Sequence, residues 1–266
     1  MSDVARRRAE MPAHTAAILD RRSLATDDRR LAALLRPGQR VLDVGCGTGA
    51  ITRGIAEAVG PGGRAVGVDV SRELLDAARR AHGAVANLEF ELHDIYALPY
   101  RDAFDVVSAA RMLQWLAEPG RALAALARAA APGGRVVVLD FNHEKLRFEP
   151  PPPPGARVFL HAFLRWRAEA GMDNAIADHL AALLAGAGLS DVVVTPQHET
   201  VERGQPDFEA RAGIWADVAA SRGHQMVADG FVDENARATA EAELRAWARG
   251  AGETLTMYLL AVDGAK

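Results

Sequence analysis

The stretch Val41-Leu-Asp-Val-Gly-Cys-Gly-Thr-Gly49 decides the fold of this 266-residue chain. A short β-branched run, Arg40–Val44, leads into it as a strand, and a helical stretch begins near Ala50. Three glycines within five residues let the backbone turn sharply and bring its amide groups against a ligand. We therefore predict a ligand-binding loop between a strand and the helix that follows it.

The same alternation of strand and helix continues from Gly38 to about Asp140. Short β-branched runs predict further strands, and stretches with apolar residues at helical spacing predict the helices between them. The strands are predicted at Arg64–Asp69, Leu88–Leu92, Phe104–Ser108 and Gly134–Asp140, and the helices at Ala50–Val59, Arg72–His82 and Arg121–Ala131. Alternation of this kind predicts a parallel sheet covered by helices on both faces.

Both ends of the chain add further elements to this core. The run Pro150–Pro154 is interpreted as a stiff spacer of the polyproline type, and the aromatic stretch Phe159–Trp166 as a helix. We predict one domain over residues 1–266 with five kinds of segment. These are N-terminal helices over 1–37, a ligand-binding core over 38–141, lid helices over 142–188 and 203–250, and closing strands over 189–202 and 253–263.

The composition is that of an ordinary globular protein, with 49% hydrophobic and 25% charged residues. A net charge of −4 gives no electrostatic basis for general nucleic-acid binding, and no apolar run approaches the roughly 18–20 residues of a membrane helix.

Cys46 is the one cysteine, so no intramolecular disulfide can form. The eight histidines show no zinc-site spacing, and we predict no metal. The simplest location is the cytoplasm.

The glycine pattern of the loop differs from the two common phosphate-binding patterns. A dinucleotide fingerprint reads G-x-G-x-x-G, and a P-loop continues with Gly-Lys-Ser/Thr, whereas Gly45, Gly47 and Gly49 follow neither order. Asp43 precedes the first glycine by two positions, where a carboxylate would repel a pyrophosphate. The loop therefore favours a cationic or zwitterionic ligand.

The loop resembles motif I of class I S-adenosylmethionine-dependent methyltransferases, in particular the ubiquinone-biosynthesis-like and small-molecule group. The resemblance covers residues 38–140 most strongly, since Asp69, His93-Asp94-Ile95 and the segment Phe104–Trp115 match the later motifs in order. It implies a doubly wound, Rossmann-like sheet of seven mostly parallel strands in the order 3-2-1-4-5-7-6. The last strand would be antiparallel, at Thr254–Val262.

The resemblance also implies the cofactor, S-adenosyl-L-methionine, and the product S-adenosyl-L-homocysteine. Asp69 would hold both ribose hydroxyls, and Asp94 would accept from the adenine amino group. The cofactor-binding residues implied in this way are Asp43, Gly45, Cys46, Gly47, Gly49, Asp69, Val70, Asp94, Ile95, Ala110 and Arg111. Arg21 or Arg22 could reach the cofactor carboxylate from the N-terminal helices.

The methyl acceptor is predicted to be a small molecule with an N, O or C nucleophile. His143 follows the fifth strand, so it is the candidate general base, although a surface or capping role fits its position too. Trp115, His161 and Trp166 are candidate substrate contacts. Gln114-Trp115 could instead support the edge of the sheet, and the alternative for His161 and Trp166 is a core-facing helix. A non-catalytic cofactor-binding member, and a methyltransferase acting on tRNA or protein, are the alternatives for function. A homodimer is left open.

Overall fold

A mostly parallel sheet runs through the protein, of which the computed structural model describes residues 3–10 and 19–266. Its strands are β1 (Arg40–Val44), β2 (Arg64–Asp69), β3 (Leu88–Leu92), β4 (Phe104–Ala110), β5 (Ala130–Glu149), β6 (Ser190–Pro196), β7 (Glu199–Glu202) and β8 (Thr254–Ala265). They follow the order 3-2-1-4-5-8-6, and β7 pairs with β8. β8 is antiparallel to β5 and β6. The predicted order and its antiparallel last strand are confirmed, with β7 as one additional short strand.

Helices fill the connections between these strands and both flanks of the sheet. They are α1 (Asp3–Ala9), α2 (Leu24–Asp27), α3 (Arg29–Leu34), α4 (Ala50–Val59), α5 (Arg72–His82), α6 (Pro119–Ala129), α7 (Pro154–Glu169), α8 (Ile176–Gly186), α9 (Phe208–Ala212), α10 (Ile214–Ala220), α11 (Arg222–Ala228) and α12 (Glu234–Arg249). The predicted bounds of α4 and α5 coincide with those observed. Residues 1, 2 and 11–18 of the predicted N-terminal helices lie outside the described residues.

Successive residues of the central strands bury opposite faces of the sheet, as strand geometry requires. Leu42 of β1 packs in a cluster with α6 and α8, whereas its neighbour Val41 packs in a cluster with α4 and α5. Val107 and Val106 of β4 divide in the same way. Because both faces are apolar, helices cover both of them, which confirms the doubly wound architecture.

The fifth strand is much longer than predicted, because its partner continues with it. The sequence predicted a strand that ends at Asp140, but β5 runs to Glu149, and Arg147–Glu149 pair with Thr254–Thr256 of β8. The register shifts between Asn142 and Arg147. We call this two-stranded extension the β5–β8 ribbon. It carries strand structure past the rim of the sheet and supports the helices that follow.

A second apolar cluster lies on the β5–β8 ribbon. Phe159, Phe163 and Trp166 of α7 pack there with residues of α9 to α12 and with Phe148 and Leu255 of the ribbon. The aromatic stretch of the sequence is therefore a core-facing helix. None of the described helices is long and apolar enough to cross a membrane.

Candidate active site

Three glycines with positive φ shape the loop that follows β1. Gly45, Gly47 and Gly49 have φ angles of 78°, 55° and 78°. The amide of Gly45 donates to the carbonyl of Val68 at 2.8 Å, which ties the loop to β2. A Cβ added to Gly49 would lie 2.5 Å from Cζ of Phe90, so the backbone approaches that ring as only glycine allows.

Asp43 lies beneath this loop rather than on its open side. Its carboxylate accepts hydrogen bonds from Thr52 Oγ1 at 2.7 Å and Ser108 Oγ at 3.2 Å, and it is 5% exposed. Burial raises the pKa of Asp43 to about 6. These contacts join β1, α4 and β4, so this carboxylate supports the loop from below.

Cys46 occupies the centre of the loop and is half-buried. Burial raises the pKa of its thiol well above the usual value, and the carboxylates of Asp43 and Asp69 act in the same direction. The thiol is therefore protonated at neutral pH, as a packing side chain rather than a nucleophile.

Asp69 ends β2 directly beside the loop. Its Oδ2 accepts from the Gly47 amide and its Oδ1 from the Ser71 amide, each at 2.9 Å. Burial raises its pKa, and the backbone hydrogen bonds act against that rise. Each carboxylate oxygen keeps a free lone pair, so the group can still accept from two hydroxyls of a ligand.

The next residues along this rim differ in how open they are. Val70 is 67% exposed, which is unusual for an apolar side chain beside a buried strand. Asp94 is exposed, and its Oδ1 caps the following short turn by accepting from the Tyr96 amide at 2.9 Å. Ile95, by contrast, packs in the core at 5% exposure. Val70 and Asp94 are therefore open to a ligand, whereas the Ile95 side chain is enclosed.

Arg111 follows β4, where Ala110 is half-buried, and places a cation under the rim. Its φ is 57°, its side chain is buried, and its Nη2 donates to the carbonyl of Asp27 at 2.9 Å and to the carboxylate of Glu199. Its Nη1 is enclosed with no hydrogen-bond partner in the part of the chain that the structure describes. This donor is free to meet an anionic group.

Arg22 lies close to the same cation, whereas Arg21 is exposed. Burial, and after it the charge of Arg111, lower the pKa of Arg22 to about 10. The carboxylates of Glu199, Asp27 and Asp140 act in the opposite direction on the pKa of Arg22. The structure thus gathers two guanidinium groups at the part of the rim where β4 ends beside β5.

His143 lies beyond the end of the parallel sheet, on the extended part of β5. Its Nε2 is 2.6 Å from Oε1 of Gln114, and its ring stacks on Phe141 with 5.3 Å between centroids. The backbone N–H of Gln114 in turn donates to the Asp140 carboxylate at 3.0 Å. Burial raises the pKa of Asp140 to about 6, whereas burial and the Arg167 charge lower that of His143 well below its usual range.

A pocket of about 490 Å³ opens between the extended part of β5 and helix α7. His143 lines it together with apolar side chains, Leu146, Leu160 and Leu164 among them. The other ionisable side chains of the lining are those of Glu144, Arg147, Glu149, Arg157 and His161. This size suits a small organic molecule. The structure thus brings His143 and His161, which the sequence singled out separately, to one cavity.

Two predicted substrate contacts lie elsewhere. Trp166 is fully buried among α7 and the helices α9 to α12, and its Nε1 donates to Asp229 at 2.8 Å. Trp115 is half-buried, with the guanidinium of Arg167 at 4.7 Å and that of Arg222 at 3.7 Å from its ring centroid. The structure does not bring either indole to the lining of the pocket.

Sequence reasoning missed Arg167 and Glu199 and left Gln114 undecided. Glu199 lies on β7, within the stretch 189–202 that was predicted as closing strand, but the sequence did not single out this residue. Arg167 is a fully buried charge directly after the aromatic stretch Phe159–Trp166. Its position four residues after Phe163, one helical turn further on, was the signal that could have revealed it. Within residues 3–10 and 19–266, no group of three His, Cys, Asp or Glu side chains could hold a metal ion.

The residues at the rim fit the cofactor that the motif resemblance implies. Asp69 has free lone pairs for adjacent hydroxyls, Val70 is an open apolar surface, and Arg111 has an unpaired enclosed donor for a carboxylate. All three lie at carboxyl ends of strands, where open α/β sheets bind ligands.

Residues 35–158 match a family model described as "Methyltransferase domain". The chain is similar to the ubiquinone/menaquinone biosynthesis C-methyltransferase UbiE of Ectopseudomonas mendocina, with 39% identity over 112 residues. That alignment covers 41% of this chain and 44% of the relative. The chain spans less than half the length of the curated relatives it matches.

Solved structures share the fold over nearly the whole chain. Phosphoethanolamine N-methyltransferase 2 of Haemonchus contortus, in complex with S-adenosyl-L-methionine, has a TM-score of 0.58 at 18% identity, covering 91% of this chain and 51% of that one. The [4+2]-cyclase SpnF has a TM-score of 0.54 at 25% identity, covering 93% and 84%.

Proposed function

Because residues 35–158 form a domain of the class I S-adenosylmethionine-dependent methyltransferase family, we propose that the chain transfers a methyl group to a small molecule. The nucleophile of that molecule is a nitrogen, oxygen or carbon atom. The observation that carries the proposal is the half-buried carboxylate of Asp69. It is fixed by the Gly47 and Ser71 amides and keeps lone pairs for the two hydroxyls of a ribose.

The other rim residues fit the remaining parts of the cofactor. Val70 offers an apolar face for the adenine ring, and Asp94 an acceptor for its amino group. Arg111, through its unpaired Nη1, and Arg22 offer positive charge for the carboxylate of the methionine part. Backbone amides of the Gly45–Gly49 loop line the path between these ends.

The chemical demands on the protein are modest, since the bound cofactor itself supplies an electrophilic methyl group. The chain's own residues must align the acceptor with that methyl and exclude water, and alignment alone can supply a large rate factor. The pocket beside His143 is the place we assign to the acceptor, with His143 as general base. The name of the similar UbiE protein, a ubiquinone/menaquinone biosynthesis C-methyltransferase, supports a small acceptor.

The decisive experiment is titration calorimetry with S-adenosylhomocysteine. The wild-type chain should bind it, and Asp69→Ala should weaken binding by about 1.5–3 kcal/mol, the range for hydrogen bonds to a charged group. Asp76→Ala, which removes an exposed carboxylate of α5 paired with Arg79, is the matched control and should bind as the wild type does. Equal affinity of the wild type and Asp69→Ala would refute the role of Asp69. A preference for NAD would refute the proposed function.

A second candidate is a protein that uses this fold without transferring a methyl group. The likeness to the [4+2]-cyclase SpnF over 93% of this chain favours it, since that protein is named for a cyclisation. The two candidates differ in one product. A screen of metabolite extracts for release of S-adenosylhomocysteine supports methyl transfer, and substrate turnover without that release supports the second candidate.

A further inference from the structure

The side-chain amide of Gln114 is held in one orientation by its neighbours. Its Nε2 donates to the carbonyl of Arg111 at 3.1 Å, and its Oε1 faces Nη1 of Arg167 at 3.5 Å. Only a nitrogen can donate to that carbonyl, and only an oxygen can accept from that guanidinium. The atom of Gln114 that faces His143 is therefore an acceptor.

This orientation fixes the tautomer of His143. The contact between the imidazole Nε2 and Oε1 of Gln114 is 2.6 Å long, so Nε2 must carry the hydrogen and donate it. In a neutral imidazole the other ring nitrogen then holds a lone pair. Gln114 thus makes Nδ1 the basic atom of His143.

Nδ1 is open as well as basic. It has no hydrogen-bond partner among residues 3–10 and 19–266, and the enclosed unpaired side-chain atoms belong to other residues, Trp215 Nε1 among them. The imidazole is held by the stacked ring of Phe141 and by the edge-on rings of Phe163 and Trp215. His143 lines the 490 Å³ pocket, so its free nitrogen can meet a molecule bound there.

The surroundings keep this imidazole neutral. Burial is the main cause that lowers the pKa of His143, and the charge of Arg167 on α7 adds to it. The other groups packed on the ring, from β5, α10 and the Gln114 turn, are aromatic or amide side chains without charge. The lone pair of Nδ1 is therefore available across the neutral pH range.

We propose that Gln114 is a positioning residue that holds His143 as its Nε2–H tautomer, so that Nδ1 accepts a proton from an O–H or N–H acceptor molecule in the pocket. The inference rests on the proposed function and narrows its substrate class to acceptors that give up a proton on methylation.

The proton step balances without a further reactant. Nδ1 takes the proton from the O–H or N–H group, and the electron pair of that bond forms the new bond to the methyl carbon. The methyl–sulfur bond breaks with its pair left on sulfur. The open side of the pocket then lets water carry the proton away from Nδ1.

Two-dimensional NMR of the chain labelled with ¹⁵N-histidine tests the tautomer directly, because long-range couplings distinguish a protonated ring nitrogen from a free one. His143→Gln assigns the signal by its disappearance. We expect a protonated Nε2 and a free Nδ1 that persist from about pH 8 down to about pH 6. A free Nε2, or a mixture of tautomers, would overturn the proposal.

Two substitutions separate positioning from packing. Gln114→Met keeps the volume but removes the acceptor, so the His143 signals should become a mixture of both tautomers. Gln114→Glu places a carboxylate against Nε2, so His143 should titrate toward a doubly protonated ring as the pH falls through about 6.5. If both variants keep the wild-type pattern, Gln114 does not set the tautomer.

The acceptor class is tested with phenol and anisole, which share a ring but differ in the O–H group. Phenol should shift the Nδ1 signal by hydrogen bonding to it, and anisole should not. A shift with both probes, or with neither, would overturn the O–H or N–H assignment. These measurements do not depend on the cofactor, so their failure leaves S-adenosylhomocysteine binding intact. If S-adenosylhomocysteine does not bind in calorimetry, the proposed function is refuted, whereas the result on the His143 tautomer stands.

Discussion

The cofactor-side rim and the substrate-side pocket are built in opposite ways. At the rim, the Asp69 carboxylate is held by the Gly47 and Ser71 amides, and the Gly45–Gly49 loop works through its backbone. At the pocket, Gln114, His143 and Arg167 meet side chain to side chain from segments more than twenty residues apart. A site built from backbone groups at strand ends can be predicted from the local sequence. A site built from side chains that are distant in the sequence depends on how the elements pack in the folded chain.

The largest effect is expected in helices α7 and α9 to α12, where Trp166 is fully buried. Trp166→Ala should lower the free energy of unfolding by about 3–5 kcal/mol, the cost of a large cavity, and it also removes one of the hydrogen bonds to Asp229, to which Arg7 and Arg8 donate as well. His161→Ala, exposed on the same helix, should change it by less than about 0.5 kcal/mol. Urea denaturation followed by circular dichroism measures both.

Equal free energies of unfolding for the two variants would mean that Trp166 is not packed as described. If Trp166→Ala were as stable as His161→Ala, the aromatic stretch would have its other interpretation, a wall of the substrate site.

The difference between the two regions also explains what could be predicted. The ends of α4 and α5 follow from glycine stops and apolar periodicity, which act within a few residues, whereas the order of the strands was predicted from the family resemblance. The continuation of β5 to Glu149 depends on its pairing with β8, more than a hundred residues later. The Arg111–Glu199 contact depends in turn on the short strand β7, which that extension makes possible. Long-range pairing of this kind leaves no local pattern.

A smaller effect is expected at the loop, and it distinguishes crowding from backbone strain. Gly49→Ala places a Cβ 2.5 Å from the Phe90 ring at a φ of 78°, so it should cost about 2–4 kcal/mol of stability from strain and overpacking together. Gly188→Ala, just after α8, has a φ of 84° and open space, and should cost only the strain, about 1–2 kcal/mol.

Chemical denaturation of the two glycine variants gives their difference, and Phe90→Leu should recover part of the loss in the Gly49→Ala background. Equal costs at the two glycines, with no recovery, would show that the Phe90 ring does not limit the approach of the loop.

The smallest effect expected is on the chemical step, and it separates the two regions most directly. His143→Ala should lower kcat by at least about tenfold, or about 1.4 kcal/mol, because general-base catalysis typically supplies more than that. Affinity for S-adenosylhomocysteine should stay within about twofold, since the side chains that contact this imidazole in the described part of the chain are Gln114, Phe141, Phe163 and Trp215, none of them assigned to the cofactor. The kinetics need the acceptor found by the metabolite screen, and the calorimetry needs only the product.

The lowered pKa of His143 predicts how kcat and stability change with pH. A histidine whose folded pKa is lowered stays neutral as the pH falls through about 6.5, where an ordinary histidine becomes protonated. The wild-type kcat should therefore not decline between about pH 9 and about pH 6 through this group. The same lowered pKa reduces stability in acid, because the unfolded chain binds a proton below about pH 6.5 that the folded chain does not. If His143→Ala keeps full kcat across that range, His143 is not the base, and alignment of acceptor and methyl carries the reaction.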